Sequence, residues 1–227
     1  MTNVDMANEI FRNVGKEYGY ENVSVDWTAF KMFKVQWQRS YNWIAFKVSD
    51  YVKDAPKNIM EDLADSLFAK IAGKDGQYSE DFQAWVLAPE FSQSKRGTFI
   101  KRGRFLTENG EGEQKDLMES VDRLVQARFI PANHNIKVVW NKDTRSDMAS
   151  TYSVLMRTVM VNHLLDDADV PDYVLDYVVY HQYLRIKEGT RTFGTGEEPN
   201  NTREEEKFFD GYEKAEEELD KFCLVLN

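Results

Sequence analysis

The sequence predicts an α+β fold: a twisted, mostly antiparallel sheet, a long helix packed on it, a C-terminal helix and a helical insertion. Three observations carry this. Apolar and polar residues alternate with a period of two within residues 29–48 and again within 136–162. Helical spacing that begins at a proline marks 54–73 and 170–189. Between these blocks, 74–130 is helical in pattern nearly throughout.

In chain order, Val4, Met6, Ile10, Phe11 and Val14 give an amphipathic helix over 2–18, ending at Gly15 or Gly19. Phe33, Val35 and Trp37 alternate with Lys34 and Gln36, which predicts a half-buried strand over 29–37. A second strand follows at Asn42 to Val48, with Arg39-Ser40-Tyr41-Asn42 as the hairpin turn. Pro56 opens a helix whose stripe is Ile59, Met60, Leu63, Leu67, Phe68 and Ile71, and Gly73 ends it. In 74–130, Ser79 can cap a helix bearing Phe82, Trp85, Val86 and Leu87, Pro89 to Phe105 forms another, and Asp116 to Arg128 a third. Strands return at Ile136–Trp140 and over Tyr152 to Asn162. A helix runs from Pro171 to about Lys187, stopping at Gly189, and the last helix spans about Thr202 to Phe222. No internal repeat is evident, so the chain reads as one domain over 1–227 with 74–130 inserted in it.

Composition bounds the function. The 227 residues are 42% hydrophobic and 13% aromatic, enough for a substantial core, in which the Trp and Tyr residues belong. A net charge of −10 repels phosphate backbones, which argues against nucleic acid as the default partner. The single cysteine, Cys223, excludes an internal disulfide or a cysteine zinc site. The first residues carry acidic groups and no apolar run of signal length, and no stretch is long enough to span a membrane. A cytoplasmic protein is expected.

The chemistry concentrates on Val170 to Gly189, V-P-D-Y-V-L-D-Y-V-V-Y-H-Q-Y-L-R-I-K-E-G. A zinc-peptidase helix carries H-E-x-x-H, two imidazoles one turn apart with a general-base glutamate between them. Here the five positions read His181, Gln182, Tyr183, Leu184 and Arg185. An amide has no useful basicity at neutral pH, and a guanidinium cannot donate a lone pair to a cation. No histidine follows His181.

The chain resembles the small gluzincin-type zinc peptidases, the group with the SprT-like and YgjP-like (WLM-related) families. Four segments carry the resemblance: Ala55-Pro56, the strand Arg157 to Asn162, the run Val170 to His181, and Phe209 to Ala215. It covers about 26–72 and 131–222. It implies a zincin-like (minigluzincin) core in which His181, Gln182 and Arg185 stand at degenerate H-E-x-x-H positions, with the third ligand lost from 199–203 and zinc lost with it.

Arg185 has two readings. A cation one turn from His181 can stand in for the metal's charge and pair with Glu204, Glu205 or Glu206, or it can point to solvent near the helix C-terminus. His134 sits in a loop by composition. His163 is structural, or it joins His181 and a glutamate of 204–206 in a relocated metal site. Lys95, Arg96, Lys101, Arg102 and Arg104 form the basic cluster, either a nucleic-acid contact or a solvated helix face. The glutamates of 197–218 make an exposed helix face, with pairs such as Glu217 to Lys221. The expectation is a catalytically inactive homologue that binds a protein or peptide in its old cleft. The alternative is a metal-dependent peptidase with unconventional ligands, and a weaker one is association with nucleic acid.

Overall fold

The computed structural model describes residues 3–74, 77–143, 145–195, 197, 202–207 and 209–226, without the side chains of residues 3, 4, 203 and 204. It is an α+β protein whose chain divides into two compact units, 1–91 with 193–197, and 92–192 with 198–227. The 74–130 segment is shared between them and does not form one inserted body. No described helix is long and apolar enough to cross a membrane.

The first unit holds α1 (Asn3–Glu17), β1 (Asn22–Thr28), β2 (Val35–Arg39), β3 (Trp43–Ser49), a 3-10 turn (Asp50–Val52), α2 (Lys57–Ile71) and α3 (Glu80–Leu87). Its sheet runs β1-β3-β2, with β1 parallel and β2 antiparallel to β3. One face is buried through Val23, Val25, Ile44, Phe46 and Val48. α1 and α2 pack together, with α1 against β1. Gly15 stays inside α1 because a Cβ there would lie 2.6 Å from Val23 Cγ2 and 2.9 Å from Phe68 Cζ.

α4 (Pro89–Arg102) begins in the first unit and lies mostly in the second. The second unit continues with α5 (Leu117–Gln126), β4 (Lys137–Asn141), β5 (Ser150–Ser153), β6 (Thr158–Asn162), a 3-10 turn (His163–Leu165), α6 (Asp172–Thr192), α7 (Arg203–Glu206) and α8 (Tyr212–Lys221). Its sheet runs β4-β6-β5, again with the first strand parallel and the second antiparallel to the third. All of β6 is buried. Val138, Trp140, Val159 and Val161 join Leu117, Val121 and Leu124 of α5 and Val174, Val178 and Val179 of α6 in one core.

The two units repeat one order of elements: helix, strand, hairpin, 3-10 turn, helix. The register repeats too. Ser24 faces Ala45 across the first parallel pair, and Lys137 faces Thr158 across the second, each residue displaced by 113 positions. The same displacement relates Asn22-Val-Ser-Val-Asp-Trp27 to Asn135-Ile-Lys-Val-Val-Trp140, and Ser49 to Asn162 before the 3-10 turn. Each last helix starts directly after a proline, Pro56 or Pro171. The sequence thus contains a repeat that its composition does not reveal, because few side chains coincide.

Several expectations are corrected. There are two small mixed sheets in place of one mostly antiparallel sheet. β1 replaces the strand expected at 29–37, of which only the part from Val35 onward is strand, and that part is largely exposed. Its signal was the alternation of Val23, Val25 and Trp27 with Ser24 and Asp26. The long strand over 152–162 is a hairpin that turns at Val154–Arg157, where Arg157 takes a φ of 45°. That turn hid in the sequence because Leu155 and Met156 within it are apolar and buried. α6 runs through Gly189 to Thr192; the glycine serves close packing and not a helix stop, since a Cβ there would sit 2.5 Å from Val154 Cγ2. The C-terminal helix is broken, with Gly211 at φ 86° before α8.

Candidate functional site

α6 is buried on nearly every side, which is why the polar groups it carries must find partners inside the protein. His181 and Gln182 are 3% and 0% exposed. One turn on, Arg185 reaches back to the same place as His181. His181 Nδ1 lies 3.3 Å and Arg185 Nη2 3.6 Å from one atom, Glu206 Oε1. Thr202 Oγ1 donates to that oxygen at 2.8 Å. Glu206 is itself 3% exposed, so its carboxylate accepts from the Thr202 hydroxyl and lies beside an imidazole and a guanidinium, away from water.

The local sequence explains the approach. His181 and Arg185 stand at i, i+4 and so share one helix face. Thr202 opens the short turn of α7, and the Glu206 amide donates to the Thr202 carbonyl at 3.0 Å. This presents the Glu206 carboxylate to α6. Glu205 points elsewhere: its carboxylate takes a 3.0 Å bond from Lys187 Nζ, and its carbonyl accepts from the Tyr180 hydroxyl at 3.2 Å. Burial, then the nearby Glu205, raises the Tyr180 phenol above its ordinary range. The Glu204 side chain lies outside the described residues.

Gln182 faces the sheet. Its Nε2 donates to Ser150 Oγ at 2.8 Å and to the Ser150 carbonyl at 3.4 Å, tying α6 to β5. Its Oε1 is buried with no hydrogen-bond partner among the described residues. The Gln182 amide is therefore a structural donor to the sheet edge.

The remaining candidates fall elsewhere. His163 Nε2 lies 3.4 Å from Asp166 Oδ2, and its ring packs edge-on to Trp140. Asp166 accepts from the backbone amides of Glu113, Gln114 and Lys115 at 2.6, 2.9 and 2.9 Å. Burial pushes the Asp166 carboxyl up, but those donors and His163 outweigh it and leave it lowered. Among the described residues, no group of three or more His, Cys, Asp or Glu side chains is arranged to hold a metal ion. His134 Nδ1 accepts from the Ile136 amide at 2.9 Å, and burial with the nearby Arg96 lowers its pKa.

The basic cluster is not one surface. Arg96 turns inward and donates to the carbonyls of Met156 at 2.9 Å and Asn135 at 2.8 Å. Burial lowers its pKa accordingly. Arg104 lies over the Phe105 ring at 5.3 Å, with Arg145 also against that ring at 5.5 Å. Lys101 and Arg104 are exposed, whereas Lys95 and Arg102 are half-buried.

The sequence reading missed Thr202, Ser150 and the Arg123–Asp176 pair, in which Arg123 makes bonds of 2.8 and 2.9 Å to the Asp176 carboxylate. Thr202 carried a signal, since a Thr followed by acidic residues is a helix start. No family model, curated protein or solved structure matches the chain.

Proposed function

We propose that the second unit is a zincin-type core whose metal chemistry has been converted into structure, and that the chain works as a protein- or peptide-binding module. One observation carries the reading: His181 and Arg185, one turn apart on a buried helix, both converge on the carboxylate of Glu206. In a zinc-peptidase helix those two positions face a dication. Here a fixed guanidinium charge fills that role beside the carboxylate, and it needs no metal to balance it. Gln182, spent on Ser150, has no proton-accepting chemistry to offer a bound water.

The test is elemental analysis of protein purified without chelator, followed by peptide-cleavage assays with and without zinc. Metal-free, inactive protein is expected. Arg185→His should then gain zinc affinity, because it places a second imidazole beside His181 and Glu206. Stoichiometric zinc in the unaltered protein, lost on His181→Ala together with zinc-dependent cleavage, would overturn the proposal.

A further inference from the structure

Two sheets have four outer edges, and three of them are sealed by named groups. On β1, the Asn8 side chain accepts from the Val25 amide at 2.9 Å and donates to its carbonyl at 3.3 Å, and Arg12 Nε donates to the Val23 carbonyl at 3.4 Å. On β4, Thr107 Oγ1 accepts from the Trp140 amide at 2.9 Å, and the Thr107 amide donates to the Trp140 carbonyl at 3.0 Å. On β5, Gln182 covers Ser150, and Val225 pairs with the chain leading into the strand: its carbonyl accepts from Ala149 at 2.8 Å and its amide donates to Asp147 at 2.9 Å.

The fourth edge, β2, has no such cover among the described residues. Ser49 donates to the Lys34 carbonyl and Ser40 to the Trp43 carbonyl, so the even-numbered residues of β2 bond inward to β3. The amides and carbonyls of Val35, Trp37 and Arg39 therefore point outward. The charges that usually guard an open edge are turned aside. Arg39 Nη1 donates to the Tyr20 hydroxyl and the Ile71 carbonyl, each at 3.3 Å, and Lys34 Nζ sits 5.8 Å from the Phe30 ring centre. Trp37, in the middle of the strand, is 39% exposed, and Tyr41 at the hairpin tip is 97% exposed.

We propose that β2 is a dimerisation edge, pairing antiparallel with β2 of a second copy of this chain. The strand V-Q-W-Q-R is matched to itself. An antiparallel pair centred on Trp37 sets Trp37 against Trp37 and Val35 against Arg39, which are the residues whose backbone groups are free. Gln36 then faces Gln38, amide to amide, and no like charges meet. A register shifted by one residue would leave the outward groups unmatched, and one shifted by two would pair fewer of them, so the pairing centred on Trp37 is favoured. This inference is independent of the reading of His181 and Arg185.

The test is sedimentation equilibrium of the full chain across the micromolar range. A mass of twice 26.5 kDa is expected. Because the two-fold places residue 37 opposite itself, Trp37→Glu alone and Trp37→Lys alone should each be monomeric, and an equimolar mixture should regain the dimer. Hydrogen exchange on the unaltered protein gives a second readout that needs no variant. The Trp37 amide should slow as concentration rises, while the Gln36 amide, bonded within the sheet, should not change. A monomer at every concentration with a fast Trp37 amide, or a dimer unaffected by charge at position 37, would overturn the proposal.

Discussion

The two units share an element order and a parallel register, yet they solve the same local problems by different means. In the second, polar groups are drawn into buried networks. In the first, the matching positions are small, exposed or without a hydrogen-bond partner among the described residues. His181 and Arg185 of α6 correspond, counted from the preceding prolines, to Ser66 and Lys70 of α2. Ser66 only bonds back to the Asp62 carbonyl at 2.8 Å, a local contact within its own helix. The comparison teaches that the fold does not require the polar site. The site stands in the second unit, and its energetics should be separable from those of the framework.

The sharpest way to break that comparison is Glu206→Ala. It removes the carboxylate that accepts from Thr202 and lies beside His181 and Arg185, and leaves a guanidinium short of that ion-pair partner. Loss of one partner from a buried ion pair costs about 3–5 kcal/mol. Ser66→Ala in the first unit should change stability by less than about 0.5 kcal/mol. Urea unfolding of both variants checks this, and equal effects would mean that the network contributes nothing particular to the second unit.

Asp166 extends the contrast to pH. Its counterpart 113 positions earlier is Lys53, which is exposed. Asp166→Ala should cost about 2–3 kcal/mol by removing a buried carboxylate that accepts from three part-buried backbone amides, and Lys53→Ala almost nothing. Asp166 is lowered by its backbone donors, and Asp172 by its hydrogen bond to Lys115. A lowered folded-state pKa means that the unfolded chain binds more protons in acid. The stabilisation is therefore present above the ordinary carboxylate range and is lost as pH falls through it. His134, lowered by burial, has the same sign but acts earlier, from about pH 6.5 downward. Unfolding followed against pH should show a shallow decline from near neutrality and a steep one in acid, and Asp166→Ala should flatten the second.

Sequence showed much of the framework and little of the repeat. The proline-started helices, β3, β4 and the cap at Ser79 were legible, because each rests on local chemistry. What failed was non-local. β1 is parallel to β3, and nothing within its seven residues names that partner. The 154–157 turn is apolar because it is buried, so it carried no turn signal. At the site, His181 and Arg185 were marked by a known spacing, and Glu206 was one of three equivalent glutamates until α7 was placed. The repeat escaped because it conserves register and burial, which alternation can express with almost any apolar residues.

Before the 3-10 turns, Ser49 and Asn162 offer a cleaner pair. Asn162 Nδ2 donates to the Ser146 and Met148 carbonyls at 3.1 and 3.0 Å, and its Oδ1 accepts from the Leu164 amide at 3.0 Å. Ser49 Oγ is buried with no partner among the described residues. Asn162→Ala should cost about 2 kcal/mol, and Ser49→Ala should be neutral or slightly stabilising, since it removes a desolvated hydroxyl. Thermal melts of the two variants measure the difference directly.

The smallest effect, which can likewise change sign between the units, concerns the paired tryptophans. Trp140 Nε1 donates to the Gly110 carbonyl at 2.9 Å in a fully buried setting. Trp27, its counterpart, has a buried Nε1 without a partner among the described residues. Replacing each indole by 3-benzothienylalanine keeps the ring shape and deletes only the N–H donor. At Trp140 this should cost about 1 kcal/mol, because a buried hydrogen bond is lost, although the Gly110 carbonyl keeps the Leu117 amide as a donor. At Trp27 it should cost nothing or stabilise by a few tenths of a kcal/mol, because an unsatisfied donor is removed from a dry site. Chemical denaturation resolves effects of this size when the slope is unchanged. A loss at Trp27 equal to that at Trp140 would mean that the first unit satisfies its indole after all, and that the two units differ in side-chain identity more than in how they treat buried polar groups.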